Sequence, residues 1–220
     1  MFSLHSITTF ARRSFLVTAL TAAAAIPALA GPPLICHPFD IGTARSLPFG
    51  DTQNGWSGWQ ATLSTYDRSK LVDDTLALLT PKTPVIVRME TLRRASAYSV
   101  DDKALANGLL AALEARTTKT PKTPAEGLAS FDYGYLVETY RQLGQRGVAV
   151  KATVDTVDGY SFVKTALAQM PDDAGLQFAA ALITEGPSTR AQHTAHLQKA
   201  KEMAKADALV ARNVATHFAN

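Results

Sequence analysis

Cys36 is the only cysteine in the chain, and His37 follows it directly. A lone thiol is a nucleophile once deprotonated, and beside an imidazole it is half of a ligand set for a transition metal such as zinc. His193 and His196 stand three residues apart, a spacing that puts two imidazoles on one side of a helix, within reach of a shared ion, with His217, His37, Cys36 or Asp172 as a conceivable third ligand. Cys36, His37, His193 and His196 therefore form one candidate set, for metal- or thiol-dependent chemistry. A second set is aromatic: Trp56, Trp59, Tyr133, Tyr135 and Tyr140 could line a groove for a peptide or sugar.

Each set also has a structural reading. Cys36 can sit as a small apolar residue between Ile35 and Pro38, with His37 capping a turn. His193 falls on the stripe of Leu197, Ala200 and Ala204 and suits a hydrogen-bonded helix face, while the tyrosine spacing is also that of a core. The acid pairs Asp101-Asp102 and Asp172-Asp173 read as helix starts, Asp73-Asp74 as a solvated edge, and Arg93-Arg94 as an exposed helix face. His-Glu-x-x-His, a second cysteine, a phosphate loop, a dinucleotide glycine pattern and a nucleophile elbow are missing from the sequence. The balance favours a non-catalytic protein without a cofactor.

The elements that must position these residues are punctuated by proline. Thr80-Pro81-Lys82-Thr83-Pro84 recurs unchanged at residues 120–124. Proline suits the first turn of a helix and a preceding threonine can cap it, so Thr83 and Thr123 are expected helix starts. Glu126 stands three residues after Thr123, at the spacing of a reciprocal capping box. Apolar periodicity then predicts eight helices, over 67–79, 83–98, 101–116, 124–143, 158–169, 172–184, 188–205 and 207–218, with a loop over 148–157. The fourth is apolar over so much of its circumference that it is expected at the centre. In the second, Arg88 and Arg94 are expected to reach solvent.

Ahead of the helices, residues 31–66 hold prolines, glycines and both tryptophans without a helical period. They read as an irregular arm lying on the helical body, pegged by Leu34, Ile35, Phe39, Ile41, Leu47, Phe49, Trp56 and Trp59. Residues 1–30 read as a removable leader: Arg12 and Arg13, an apolar run from Phe15 to Ile26, and a small-residue ending at Ala28 and Ala30. Arg12-Arg13-Ser14-Phe15-Leu16 resembles the twin-arginine export signal, although Ala11 and Val17 depart from its flanks. The leader implies a periplasmic or secreted protein with no membrane span after cleavage. The chain has 22 Lys and Arg against 19 Asp and Glu, and two of the arginines lie in the leader. The remainder is almost neutral, which excludes the electrostatic footprint of a nucleic-acid binder.

The expected fold class is all-α: stacked antiparallel helical hairpins over 67–220, preceded by the arm. With the run from Leu197 to Asp207 leading into a further helix, this layout resembles tetratricopeptide-type repeat proteins, although their tryptophan-leucine-glycine start and closing proline are lacking. The resemblance implies a stack of hairpins with a concave face for a protein or peptide partner.

Overall fold

A computed structural model describes residues 33–50, 60–62, 64–145 and 153–218. The expected leader, Trp56 and Trp59 lie outside the described residues. Among the described residues eight α-helices follow the arm: α1 Leu71–Leu78, α2 Val85–Ser99, α3 Lys103–Glu114, α4 Pro124–Gln145, α5 Gly159–Gln169, α6 Ala174–Ile183, α7 Arg190–Met203 and α8 Ala208–His217. No strand occurs among the described residues. The described part of the expected loop over 148–157 carries a short 3-10 turn, Thr153–Asp155.

Aspartates start four of these eight helices, because their carboxylates accept the first free N–H groups. Asp102, Asp158, Asp173 and Asp207 each accept from a backbone N–H two or three residues on. The α3 cap is Asp102, not Asp101, which turns instead to Arg68 at 2.6 Å. At α4 the capping box forms: Glu126 N–H donates to Thr123 Oγ1 at 3.3 Å and Thr123 N–H to Glu126 Oε2 at 3.1 Å.

The first Thr-Pro mark works differently. Thr83 Oγ1 donates backwards to Leu78 O at 2.7 Å, and α2 begins at a Pro84 N-cap without a side-chain bond. Thr83 therefore closes the end of α1 rather than capping α2. The same five letters give two outcomes because only the second copy has a glutamate three residues after its second threonine.

Every residue of α2 except Arg94 is buried. This helix packs against α1, α3, α4 and α6, so it shares the centre with α4, whose neighbours include α2, α3 and α5. The most extensive pairings are α4 with α5 and α6 with α7. At the α4–α5 crossing two backbones touch. A Cβ on Gly134 would lie 2.4 Å from Gly159 O, and one on Gly159 would lie 2.6 Å from Gly134 O. Glycine is required on both sides of that contact.

Candidate functional site

The most highly built polar constellation lies where the arm crosses α2. Leu34, Ile35, Phe39 and Leu47 of the arm are buried in the common core. Their apolar burial supplies the bulk of the attachment, on the order of 1.5–3 kcal/mol per side chain before ordering costs are subtracted. Beneath them Glu90, fully buried, accepts from Arg93 Nε at 2.7 Å, Arg93 Nη2 at 2.8 Å and Arg94 Nε at 2.7 Å. The same carboxylate accepts the Phe39 backbone N–H at 3.0 Å. Burial alone would raise the Glu90 carboxyl, but the two guanidinium groups outweigh it and hold it below the usual range.

The remaining contacts also read the arm's main chain. Arg93 donates to Ile35 O at 3.3 Å, Arg94 to Leu47 O at 2.7 Å and Tyr98 Oη to Pro48 O at 2.6 Å. From α4, Gln142 accepts from Leu34 N–H at 3.0 Å. From α8, Asn213 takes both main-chain groups of Asp40, accepting from its N–H at 2.9 Å and donating to its O at 2.8 Å. An irregular segment of turns and bends thus has main-chain groups at six of its residues bonded to side chains of three helices. That is how an irregular chain can lie across a buried surface.

A second buried ion cluster holds the corner between α1, α2 and α4. Arg88 Nη1 donates to Asp132 Oδ2 at 2.6 Å, Nε donates to Thr83 O at 3.0 Å, and Nη2 reaches Thr80 O. Arg116 Nη2 donates to Leu79 O at 2.9 Å, with Nη1 3.9 Å from the same Asp132 oxygen. Burial, only partly offset by Arg88 and Arg116, pushes the Asp132 carboxyl up to about 6. Arg88 and Arg93 are thus buried and Arg94 is largely covered. This corrects the expected solvent face of α2 and the expected exposed Arg93-Arg94 edge.

The two candidate sets are scattered through the fold. Tyr135 and Tyr140 are fully buried and Tyr133 nearly so. Tyr140 Oη pairs with Ser99 Oγ at 2.6 Å, and Tyr133 sits edge-on to Phe162. The three tyrosines are core residues and line no groove. An α4 apolar on nearly all sides leaves its aromatic residues enclosed.

His193 and His196 both dock onto α6, one turn apart: His193 Nδ1 lies 2.8 Å from Ala181 O and His196 Nδ1 lies 2.8 Å from Gln177 Oε1. Tyr160 Oη occupies the other nitrogen of His196 at 2.6 Å. The two rings are pins between α6 and α7 rather than a facing ligand pair. His37 lies instead against His217, with ring centroids 5.9 Å apart, and Cys36 is a half-exposed free thiol on the arm. The expected convergence of Cys36, His37, His193 and His196 is not formed. Among the described residues no three His, Cys, Asp or Glu side chains are grouped to hold a metal ion.

His217, a conceivable third ligand for the His193–His196 pair, sits instead in an aromatic cluster. It stacks on Phe39 at 4.8 Å and meets Phe178 edge-on at 5.6 Å. Burial, then the neighbouring His37, pushes its pKa down to about 4.

The chain matches no family model, no curated protein and no solved structure. Among the described residues no helix is long and apolar enough to cross a membrane.

Proposed function

We propose that this chain is an exported, non-catalytic helical-repeat scaffold that holds a protein or peptide partner in a surface groove. The observation that carries the reading is the seat of the arm. Side chains of α2, α4 and α8 bind an irregular, non-helical segment through its main chain, at Leu34, Ile35, Phe39, Asp40, Leu47 and Pro48. A helical stack that grips one non-helical peptide in this way has the rigid walls and side-chain donors that a second would need.

Export rests on the leader-like residues 1–30. Cleavage after Ala30 would place the arm at the start of the mature chain. The tetratricopeptide-type resemblance adds the expectation of a partner-binding face and nothing about the partner's identity. Because the arm fills the face formed by α2, α4 and α8, partner contact falls to surfaces outside it.

The test has two parts. N-terminal sequencing of the protein recovered from the exported compartment should begin at Gly31. Cross-linking in that compartment, followed by peptide mass spectrometry, should recover one defined partner joined to surface residues of the helical stack. A chain retaining residues 1–30, or one that stays monomeric and uncrosslinked there, overturns the proposal.

A further inference from the structure

We infer that the partner enters along the outer edge of the arm, in the groove between residues 44–48 and α1, and that it presents a short extended segment pairing an acidic side chain with an apolar one. This rests on the scaffold reading and names the surface and ligand chemistry within it.

Two hollows of about 370 Å³ and about 380 Å³ meet there, and Arg45, Ala77 and Leu78 line both. One runs towards Tyr66 and Asp74, the other towards Lys82, Pro84 and Val87. The repeated proline motif noted in the sequence thus forms one wall of the groove. The hollow beside Lys82, Pro84 and Val87 is mainly apolar and can take an aliphatic side chain, whereas the one beside Tyr66 and Asp74 is of mixed polarity.

The charges around it are asymmetric. Arg45 on the arm and Lys82 in the turn are exposed, and neither has an ion-pair partner among the described residues. At the other end Asp74 accepts from Tyr66 Oη at 2.9 Å. Lys82 lies at one end, Arg45 where the two hollows meet and Asp74 at the other end, so a ligand carboxylate is drawn towards the Lys82 hollow and repelled from Asp74, which sets the direction in which the segment lies. Basic segments are disfavoured between the two cations for the same reason. Both cations are in water, so the attraction is modest and screened by salt.

The experiment uses the mature chain and two fluorescein-labelled octapeptides, one alternating Glu with Leu and the other alternating Lys with Leu, with fluorescence anisotropy read at low and high salt. The Glu-Leu peptide should bind and the Lys-Leu peptide should not. Raising salt from about 0.05 to about 0.5 M should weaken the complex severalfold. The double variant Arg45→Glu/Lys82→Glu should weaken Glu-Leu binding at least about tenfold and gain affinity for the Lys-Leu peptide. Both positions are exposed, so its circular dichroism and urea midpoint should stay close to wild type. Equal binding of the two peptides, no binding of either, or Glu-Leu binding unchanged in the double variant would overturn the assignment. If a defined partner is captured in the exported compartment but its cross-links map away from Arg45 and Lys82, the groove assignment fails while the scaffold reading stands.

Discussion

Replacing Glu90 by glutamine changes one oxygen to an amide nitrogen and leaves the side-chain shape intact. It removes the charge that two arginines share in a fully buried position. Arg93 has no exposure through which to recover hydration, whereas Arg94 is 13 % exposed and can partly turn to water. Removing one member of a buried pair typically costs about 3–5 kcal/mol, chiefly because its partner is stranded. Domains of this kind are stable by about 5–15 kcal/mol in total, so Glu90→Gln should consume a large part of the margin. With a urea dependence near 2 kcal/mol per molar, the midpoint should fall by about 2 M. The arm should loosen first, because Glu90 also holds Phe39 N–H and Arg93 holds Ile35 O. Cys36, next to Ile35, is a built-in reporter: its rate of thiol labelling under native conditions should rise. Glu90→Met/Arg93→Met, which strands no charge at position 93, should be milder than Glu90→Gln alone. A loss below about 1 kcal/mol with an unchanged Cys36 rate would refute the claim that this carboxylate clamps the arm.

Acidity provides a second test, because two buried groups pull in opposite directions. His217, held down to about 4 from 6.5, contributes stability that is whole above pH 6.5 and lost as pH falls towards 4, about 3 kcal/mol in all. Asp132, raised from 3.8 to about 6, contributes stability that is whole below pH 3.8 and lost as pH rises to 6, again about 3 kcal/mol. The two slopes oppose each other, and carboxyls held low, Glu90 and Asp40 among them, add to the loss in acid. The test is therefore a comparison: from pH 6 to 4 the urea midpoint of His217→Phe should fall less than that of wild type, and identical pH profiles would count against it. Gly134→Ala should cost about 1–3 kcal/mol by forcing α4 from α5, and thermal unfolding should register it. Thr123→Ala, which removes one arm of the capping box, should cost about 1 kcal/mol, whereas Thr123→Asn should restore most of it.

The helices were legible because local chemistry sets their ends. Aspartate before an apolar-periodic run caps the helix immediately after it, and proline constrains its own φ wherever it stands, so the boundaries need no knowledge of tertiary structure. The burial of charge was not legible. Glu90 with Arg93 and Arg94 has the spacing of ordinary surface pairs, and the arm that buries them lies some fifty residues earlier. Arg88 is likewise paired to Asp132 across a separation of 44 residues. Periodicity sorts side chains by polarity, and it misassigns a helix whose polar face is covered by another part of the chain. The tyrosines were misplaced for the complementary reason: α4 is enclosed on nearly all sides, so no stripe of it remains for a ligand.

These two errors have one physical origin, and it bears on how the protein can work. The arm lacks regular secondary structure, so it cannot satisfy its own backbone and must borrow polar groups from the helices beneath it. Apolar helix faces could not supply them; charged and amide side chains can, provided they are paired once water is excluded. The arginines, Glu90 and Asn213 are therefore arranged for a non-helical peptide, and the peptide they hold belongs to the same chain. A partner competing for that seat would have to break the bonds of Glu90 and Arg93 to the arm and expose four buried apolar side chains before gaining any contact. Entry along the outer edge, beside Arg45 and Lys82, requires none of this and leaves the clamp intact. A trans ligand should accordingly leave the Cys36 labelling rate unchanged on binding. Acceleration on addition of the Glu-Leu peptide would mean that the arm is displaced, and the edge route would be wrong.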